Sequence, residues 1–141
     1  MKRADEGMGF LLQYENVAWY EDGCVRILDR RIYPVKTEFV VCRSYTEVAQ
    51  AIADMVTQSA GTYTAAAMGM ALAAYEVRQK SIDEIREYLK KAEYALSHAR
   101  PTTSEKMQLV TGGAMEAAEK CLQEGRAGQQ LVDALQEYAF N

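Results

Sequence analysis

The stretch QSAGTYTAAAMGMALAAYE, residues 58–76, limits the fold more than any other part of the chain. It opens on small and hydroxyl-bearing residues, continues in alanine, methionine and glycine, and carries no charge until Glu76. A surface helix needs a polar face, and this run has almost none before Glu76. A membrane span needs about twenty predominantly apolar residues, and polar side chains interrupt the nearly uncharged run over 55–75. What remains is a central buried helix, starting near 62–64 and ending near Gln79. Its small side chains let neighbouring elements come close, with Gly69 as a close-packing point. Arg78 and Lys80 suit its negative C-terminal end. The other elements must wrap such a helix, and 141 residues suffice for one domain with a real core.

The wrapping elements are legible on both sides. In front, Val17 and Trp19 alternate with Ala18 and Tyr20, and Val25 and Ile27 alternate with Arg26 and Leu28. Period-two patterns on either side of Asp22-Gly23 predict a β-hairpin. Pro34 marks a break, and TEFVVC over 37–42 reads as one more strand. Three short strands need something to pack on, and the helices supply it. Ser44 and Glu47 form a capping-box pattern, followed by Val48, Ile52, Met55 and Val56 on one face, predicting a helix to about Gln58. Ser81 and Glu84 repeat the pattern before a stripe of Ile82, Ile85, Leu89, Ala92 and Leu96, with Glu87 and Lys91 as an i,i+4 pair. Pro101 stops that helix and pushes Arg100 into an extended conformation. A further helix covers about 104–124, weakened by Gly112-Gly113. Gly125 and Gly128 bracket a turn before a last helix carrying Leu131, Leu135 and Tyr138. The predicted class is α+β, mostly α: short N-terminal β-strands, a hairpin plus one strand, packed on a bundle of about five helices. It is read as one domain over 1–141, strand-rich over 11–43 and helical over 44–141.

Composition excludes several function classes. The 49% apolar and 26% charged content is that of a globular chain. A net charge of −4 argues against nucleic-acid or anionic-membrane partners, which call for a basic face. The basic residues over 26–43 read as strand flanks. Cys24, Cys42 and Cys121 are widely spaced with no CxxC, so neither a disulfide scaffold nor a zinc knuckle is signalled. The expected compartment is the cytoplasm, and the N-terminus shows no signal-peptide core. His98 stands alone, which argues against a metal site and leaves it as a solvent-facing or capping residue. No phosphate-binding or dinucleotide-binding loop is present, and no cofactor is expected.

Two places hold chemical interest. Gln58, Ser59, Ala60, Gly61 and Thr62 lead into the buried helix. Amide groups and a positive dipole end there suit a phosphate or carboxylate, although helix capping explains the same residues. Arg100 sits in the stiff link before Pro101, where a guanidinium can meet an anion in bidentate fashion or lie exposed in a loop. Such a link is expected to carry little of the core.

VVCRSYTEVAQAIADMV, 40–56, resembles the N-terminal domain of methylthioribose-1-phosphate isomerases, which belong with ribose-1,5-bisphosphate isomerases and the regulatory subunits of translation initiation factor 2B. The likeness extends back through VAWYEDGCVRILDRRIYPVKTEF, with Asp29, Arg30 and Arg31 in place of the family's Asp-Gln-Arg. It extends forward to ARPTT, similar to the family's Arg-Pro-Thr-Ala. It implies that 58–76 is a substrate-facing loop and a central helix. It also implies departures. The family's phosphate-holding arginine is replaced by Gln58 and a neighbouring glycine by Ser59, while Ala60, Gly61 and Arg100 match. The family's catalytic cysteine and aspartate lie in a following Rossmann-like domain. Cys42 matches a non-catalytic cysteine. The resemblance thus implies isomerase ancestry without activity in this chain alone. It leaves open a non-catalytic interaction or ligand-binding module, or one half of a split or truncated aldose–ketose isomerase. Expected partners are a second copy of the chain or a separate Rossmann-like subunit, with a sugar phosphate as ligand. Self-association is expected through Met107, Val110, Met115, Leu122 and Leu131, left partly uncovered without a neighbouring domain.

Overall fold

The computed structural model describes residues 16–58 and 60–140. Ser59, the start of the strand-rich front over 11–15 and the N-terminal segment read for a signal peptide lie outside the described residues. β1 (Ala18–Glu21), β2 (Cys24–Leu28) and β3 (Phe39–Cys42) form an antiparallel sheet in the order β1-β2-β3. α1 (Tyr45–Ala53), α2 (Gly61–Glu76), α3 (Ile82–Ser97), α4 (Ser104–Gln123) and α5 (Gln129–Phe140) follow, with a 3-10 turn at Pro101–Thr103. The predicted α+β, mostly α class is observed.

The hairpin turns at Asp22 and Gly23, both with positive φ (49° and 84°). This is the backbone pairing whose twist matches the flanking strands. The sheet lays Ala18, Tyr20, Val25, Ile27 and Cys42 against the helices. α2 runs through the middle, buried from Ala65 to Ala74. It packs against β1, β2 and all four other helices. Gly69 is a close-packing point, since a Cβ there would lie 3.1 Å from both Leu96 and Val48 side chains.

Several local expectations shift. α1 stops at Ala53, short of Gln58, because Met55 adopts a left-handed conformation (φ 64°). The Val56 amide then bonds to Ala51 O and the Met55 amide to Ile52 O. These are the two crossed bonds that close a helix C-terminus, with methionine where glycine is usual. The turn rotates Met55 off the buried face, leaving it 46% exposed. The Ser44 hydroxyl accepts from the Glu47 amide as expected, but Glu47 Oε1 accepts from the Arg43 amide. α2 ends at Glu76, and Arg78 donates to Tyr75 O at that end. On α3, Ile82 is exposed while Ile85, Leu89, Ala92 and Leu96 are fully buried. Lys90, not Lys91, pairs with Glu87. α4 continues through Gly112-Gly113 without a break. Gly113 is there for proximity: a Cβ on it would collide with the Tyr138 hydroxyl, which donates to Val110 O at 2.9 Å, whereas a Cβ on Gly112 would meet only Glu93 at 3.8 Å.

The apolar patch expected on the last two helices is not found. Met107, Leu122 and Leu131 are at most 3% exposed, and Val110 and Met115 are half-buried. α5 packs along α2 and α4, with Leu131 on its own buried face. Among the described residues no helix is long and apolar enough to cross a membrane.

Candidate functional site

The turn between α1 and α2 and the link before Pro101 meet. Arg100 is extended (φ −131°, ψ 121°), as the following proline requires. Its side chain crosses to the far end of α1. Nε donates to Ile52 O at 2.7 Å, Nη2 to Thr57 O, and Nη1 to Thr62 Oγ1 at 3.3 Å. One guanidinium therefore joins the last turn of α1, the connecting turn and the first turn of α2. Partial burial lowers its pKa from the ordinary arginine value, and a guanidinium is basic enough to stay protonated regardless. Carbonyls at a helix C-terminus carry partial negative charge, so a cation there is stabilising.

This corrects the reading of Arg100 as a surface group carrying little structure. It is half-buried, and three of the five donors of a guanidinium are engaged by the protein itself. Among the described residues, one further donor on each of Nη1 and Nη2 has no partner. The other expected residues line the same corner. Gln58 O accepts from the Gly61 amide at 3.1 Å, and Gln58 Nε2 donates to Met55 O at 3.4 Å. Ala60 opens α2 with no side-chain cap, and its carbonyl accepts from the Tyr63 amide. Gly61 is required by space: a Cβ there would stand 2.5 Å from Thr57 Oγ1 and 2.9 Å from Val17 Cγ1. Thr62 is buried and turned toward Arg100. Ser59 is outside the described residues.

A loop from the sheet supports this corner. The Arg30 amide donates to Val56 O at 2.7 Å. Asp29 holds the loop's shape, accepting from the Arg31 amide and, bidentately, from the Arg31 guanidinium at 2.9 Å. The hydrogen bonds from Arg31 hold the Asp29 carboxyl below its usual pKa.

The opposite end of α1 carries an interaction the sequence did not announce. Glu76, the first charge after the small-residue run, accepts from the Tyr45 amide at 2.9 Å and from the Tyr88 hydroxyl at 2.8 Å. Tyr45 and Tyr88 meet edge to face beside it, 5.2 Å between centroids. The only signal was position: a lone carboxylate ending an uncharged buried helix needs a partner.

Other reactive groups stand apart. His98 caps α3 and stacks on Tyr94 at 4.1 Å, with Nδ1 2.9 Å from Ser97 Oγ. Cys42 is buried, which pushes its thiol up to about 11 and keeps it from acting as a thiolate near neutrality. Among the described residues no group of three His, Cys, Asp or Glu side chains is placed to hold a metal. A depression of about 580 Å³ between α4 and α5, lined by Cys121, Arg126, Asp133 and Tyr138 among others, includes none of the corner residues.

Comparison with known proteins bears out the family resemblance. The methylthioribose-1-phosphate isomerase of Caldanaerobacter subterraneus is 36% identical over 84 residues, covering 59% of this chain and 24% of that protein. The methylthioribose-1-phosphate isomerase of Thermotoga neapolitana is 31% identical over 117 residues, covering 82% and 32%. Among solved structures, translation initiation factor eIF-2B subunit delta from A. fulgidus superposes with a TM-score of 0.68 at 32% identity, covering 86% of this chain and 33% of that one. No protein-family model matches the chain. The chain thus spans only about a quarter to a third of the length of these relatives. Its similarity is to the N-terminal region of the isomerase and initiation-factor group.

Proposed function

We propose that this chain is a non-catalytic interaction or ligand-binding module, a single domain over 1–141 working in the cytoplasm and related to the N-terminal domain of sugar-phosphate isomerases and initiation factor 2B subunits. Its ligand corner is Gln58, Ser59, Ala60, Gly61, Thr62 and Arg100, and it takes an anion such as a sugar phosphate weakly. The observation that carries this reading is the orientation of Arg100. Its charge is directed at Ile52 O, Thr57 O and Thr62 Oγ1, which engage three of its five donors among the described residues. Gln58, where the resembled family has an arginine, adds a neutral amide. A charge-assisted hydrogen bond is roughly twice as strong as a neutral one, so the corner keeps the shape of a phosphate site with little of its grip.

Absence of catalysis rests on a chemical requirement. Aldose–ketose isomerisation moves a proton and needs a positioned acid and base. Cys42 is buried with a raised pKa, and His98 is engaged with Ser97 and Tyr94. The purified chain is expected to show no turnover of methylthioribose 1-phosphate or ribose 1,5-bisphosphate above buffer. Turnover that survives removal of contaminants would reject the reading.

A second reading is favoured by the fraction of its relatives that the chain spans: one half of a split or truncated isomerase, completed by a Rossmann-like subunit. In that case turnover appears when such a subunit is added and depends on Arg100. Under the first reading the addition produces none.

A further inference from the structure

The two edges of the sheet are treated differently. At β1, Gln136 on α5 donates its side-chain amide to Tyr20 O at 2.9 Å, and Phe140 stacks on Trp19 with centroids 5.9 Å apart. That edge is covered. At β3 the Glu38 carbonyl accepts from the Asp29 amide, so residues 38, 40 and 42 direct their backbone groups at β2. Phe39 and Val41 therefore direct theirs outward, and among the described residues those groups meet no partner. The strand FVVC carries no proline, lysine or inward charge of the kind that guards an open edge, and Val41 is 50% exposed. Beside it lies a groove of about 260 Å³ between β3 and α1, floored by Val40, Cys42, Ala51 and Val56 and rimmed by Arg31, Glu47 and Asp54.

We infer that β3 pairs antiparallel with β3 of a second copy of this chain, across a two-fold axis, joining the two sheets into one of six strands. The strand is self-complementary. Only registers that oppose outward-directed residues are open to it. The one that sets Phe39 opposite Val41 of the second copy, twice, makes aromatic–β-branched pairs on the outer face. It sets Val40 opposite Val40 at the dyad, beside the two grooves. Antiparallel pairing also brings the Glu38 end of each strand alongside the Arg43 end of the other. Neither of those side chains has an ion-pair partner among the described residues. A two-fold dimer is the commonest closed assembly, and a contact of this kind is isologous by construction. The interface is distinct from the α4–α5 surface, and its groove shares Val56 with the turn that the Arg30 amide holds beside the Arg100 corner.

Sedimentation of the full chain over a concentration series tests this, read together with amide exchange at residues 39 and 41. The expected mass rises with concentration toward twice 15.8 kDa. The Phe39 and Val41 amides slow by roughly tenfold or more as it does, because ladder hydrogen bonds protect them. Val41→Lys should abolish both effects while leaving the circular dichroism of the monomer unchanged. Val40→Cys should cross-link 40 to 40 under mild oxidation, since directly opposed residues of a non-hydrogen-bonded pair lie about 4.5 Å apart at Cα. A monomer at every concentration overturns the inference. So does a dimer that survives Val41→Lys with fast-exchanging edge amides, which would place the contact elsewhere. Edge protection that requires an added foreign peptide overturns it as well.

Discussion

The two ends of α1 are both held by charged side chains from distant parts of the chain, with opposite signs. At the N-terminal end Glu76, 31 residues on, accepts from the Tyr45 amide. At the C-terminal end Arg100, 48 residues on, donates to Ile52 O. Each charge opposes the partial charge of the helix end it meets. A nine-residue helix has little stability alone, so such ties decide whether it stays formed. The ends differ in what else they touch. Glu76 closes a small network with Tyr88 that lies away from the candidate corner. Arg100 closes the corner proposed above to take an anion. The same physical device ties the fold at both ends, and at the C-terminal end it also joins α1 to the first turn of α2.

The comparison breaks most sharply at Arg100. Arg100→Ala removes three charge-assisted bonds and leaves the Ile52 and Thr57 carbonyls without that donor. A loss of about 3 kcal/mol is expected, read as a fall in Tm of roughly 10 °C for a chain of this size. Denaturant unfolding should show the same loss without ligand. Glu76→Ala should cost about 2 kcal/mol by the same measurement, since two bonds go and the site is partly open to water. Equal losses at both ends would remove the distinction drawn between them.

Smaller effects sharpen the C-terminal end. Asp29 shapes the loop whose Arg30 amide bonds to Val56 O. Its carboxyl pKa is lower in the folded chain than in the unfolded one. The associated stability is therefore present above the ordinary carboxylate range and lost as pH falls through the folded value. Asp29→Asn should lower stability at neutral pH by about 1 kcal/mol or less, the pair being partly exposed. It should also flatten the acid limb of a stability–pH profile. Met55→Gly should raise stability by up to about 1 kcal/mol, because glycine accepts the positive φ that methionine resists.

Elements with a local cause were legible in the sequence. The hairpin at Asp22-Gly23, the Ser44 and Ser81 caps, the stop at Pro101 and the buried small-residue helix each follow from a few neighbouring residues. The misreadings arose where a distant partner decided. Apolar periodicity carried α1 past Ala53, since nothing local foretells a left-handed methionine. Gly112-Gly113 looked like weakness until Tyr138 supplied the reason for Gly113. Met107, Leu122 and Leu131 were expected to lie partly uncovered for want of a neighbouring domain, and the packing of α5 on α2 and α4 could not be read from local sequence. At the corner, the sequence marked the turn over 58–62 and Arg100 as separate places of interest, and their meeting at Thr62 is a finding of the structure. That the guanidinium turns inward on carbonyls was not legible either, because backbone acceptors have no residue type to read.

The central claim is that the corner keeps its shape but has committed its one charge to the fold. The direct measurement is the Tm of the unmodified chain and of Gln58→Arg, side by side, against rising inorganic phosphate and methylthioribose 1-phosphate. A ligand that binds the folded state alone raises Tm in proportion to its affinity. The account predicts a small rise for the unmodified chain at millimolar ligand, and binding roughly tenfold or more tighter for Gln58→Arg as the added charge completes the site. A Gln58→Arg variant that binds no better than the unmodified chain, or an unmodified chain that already binds in the low micromolar range, would contradict it.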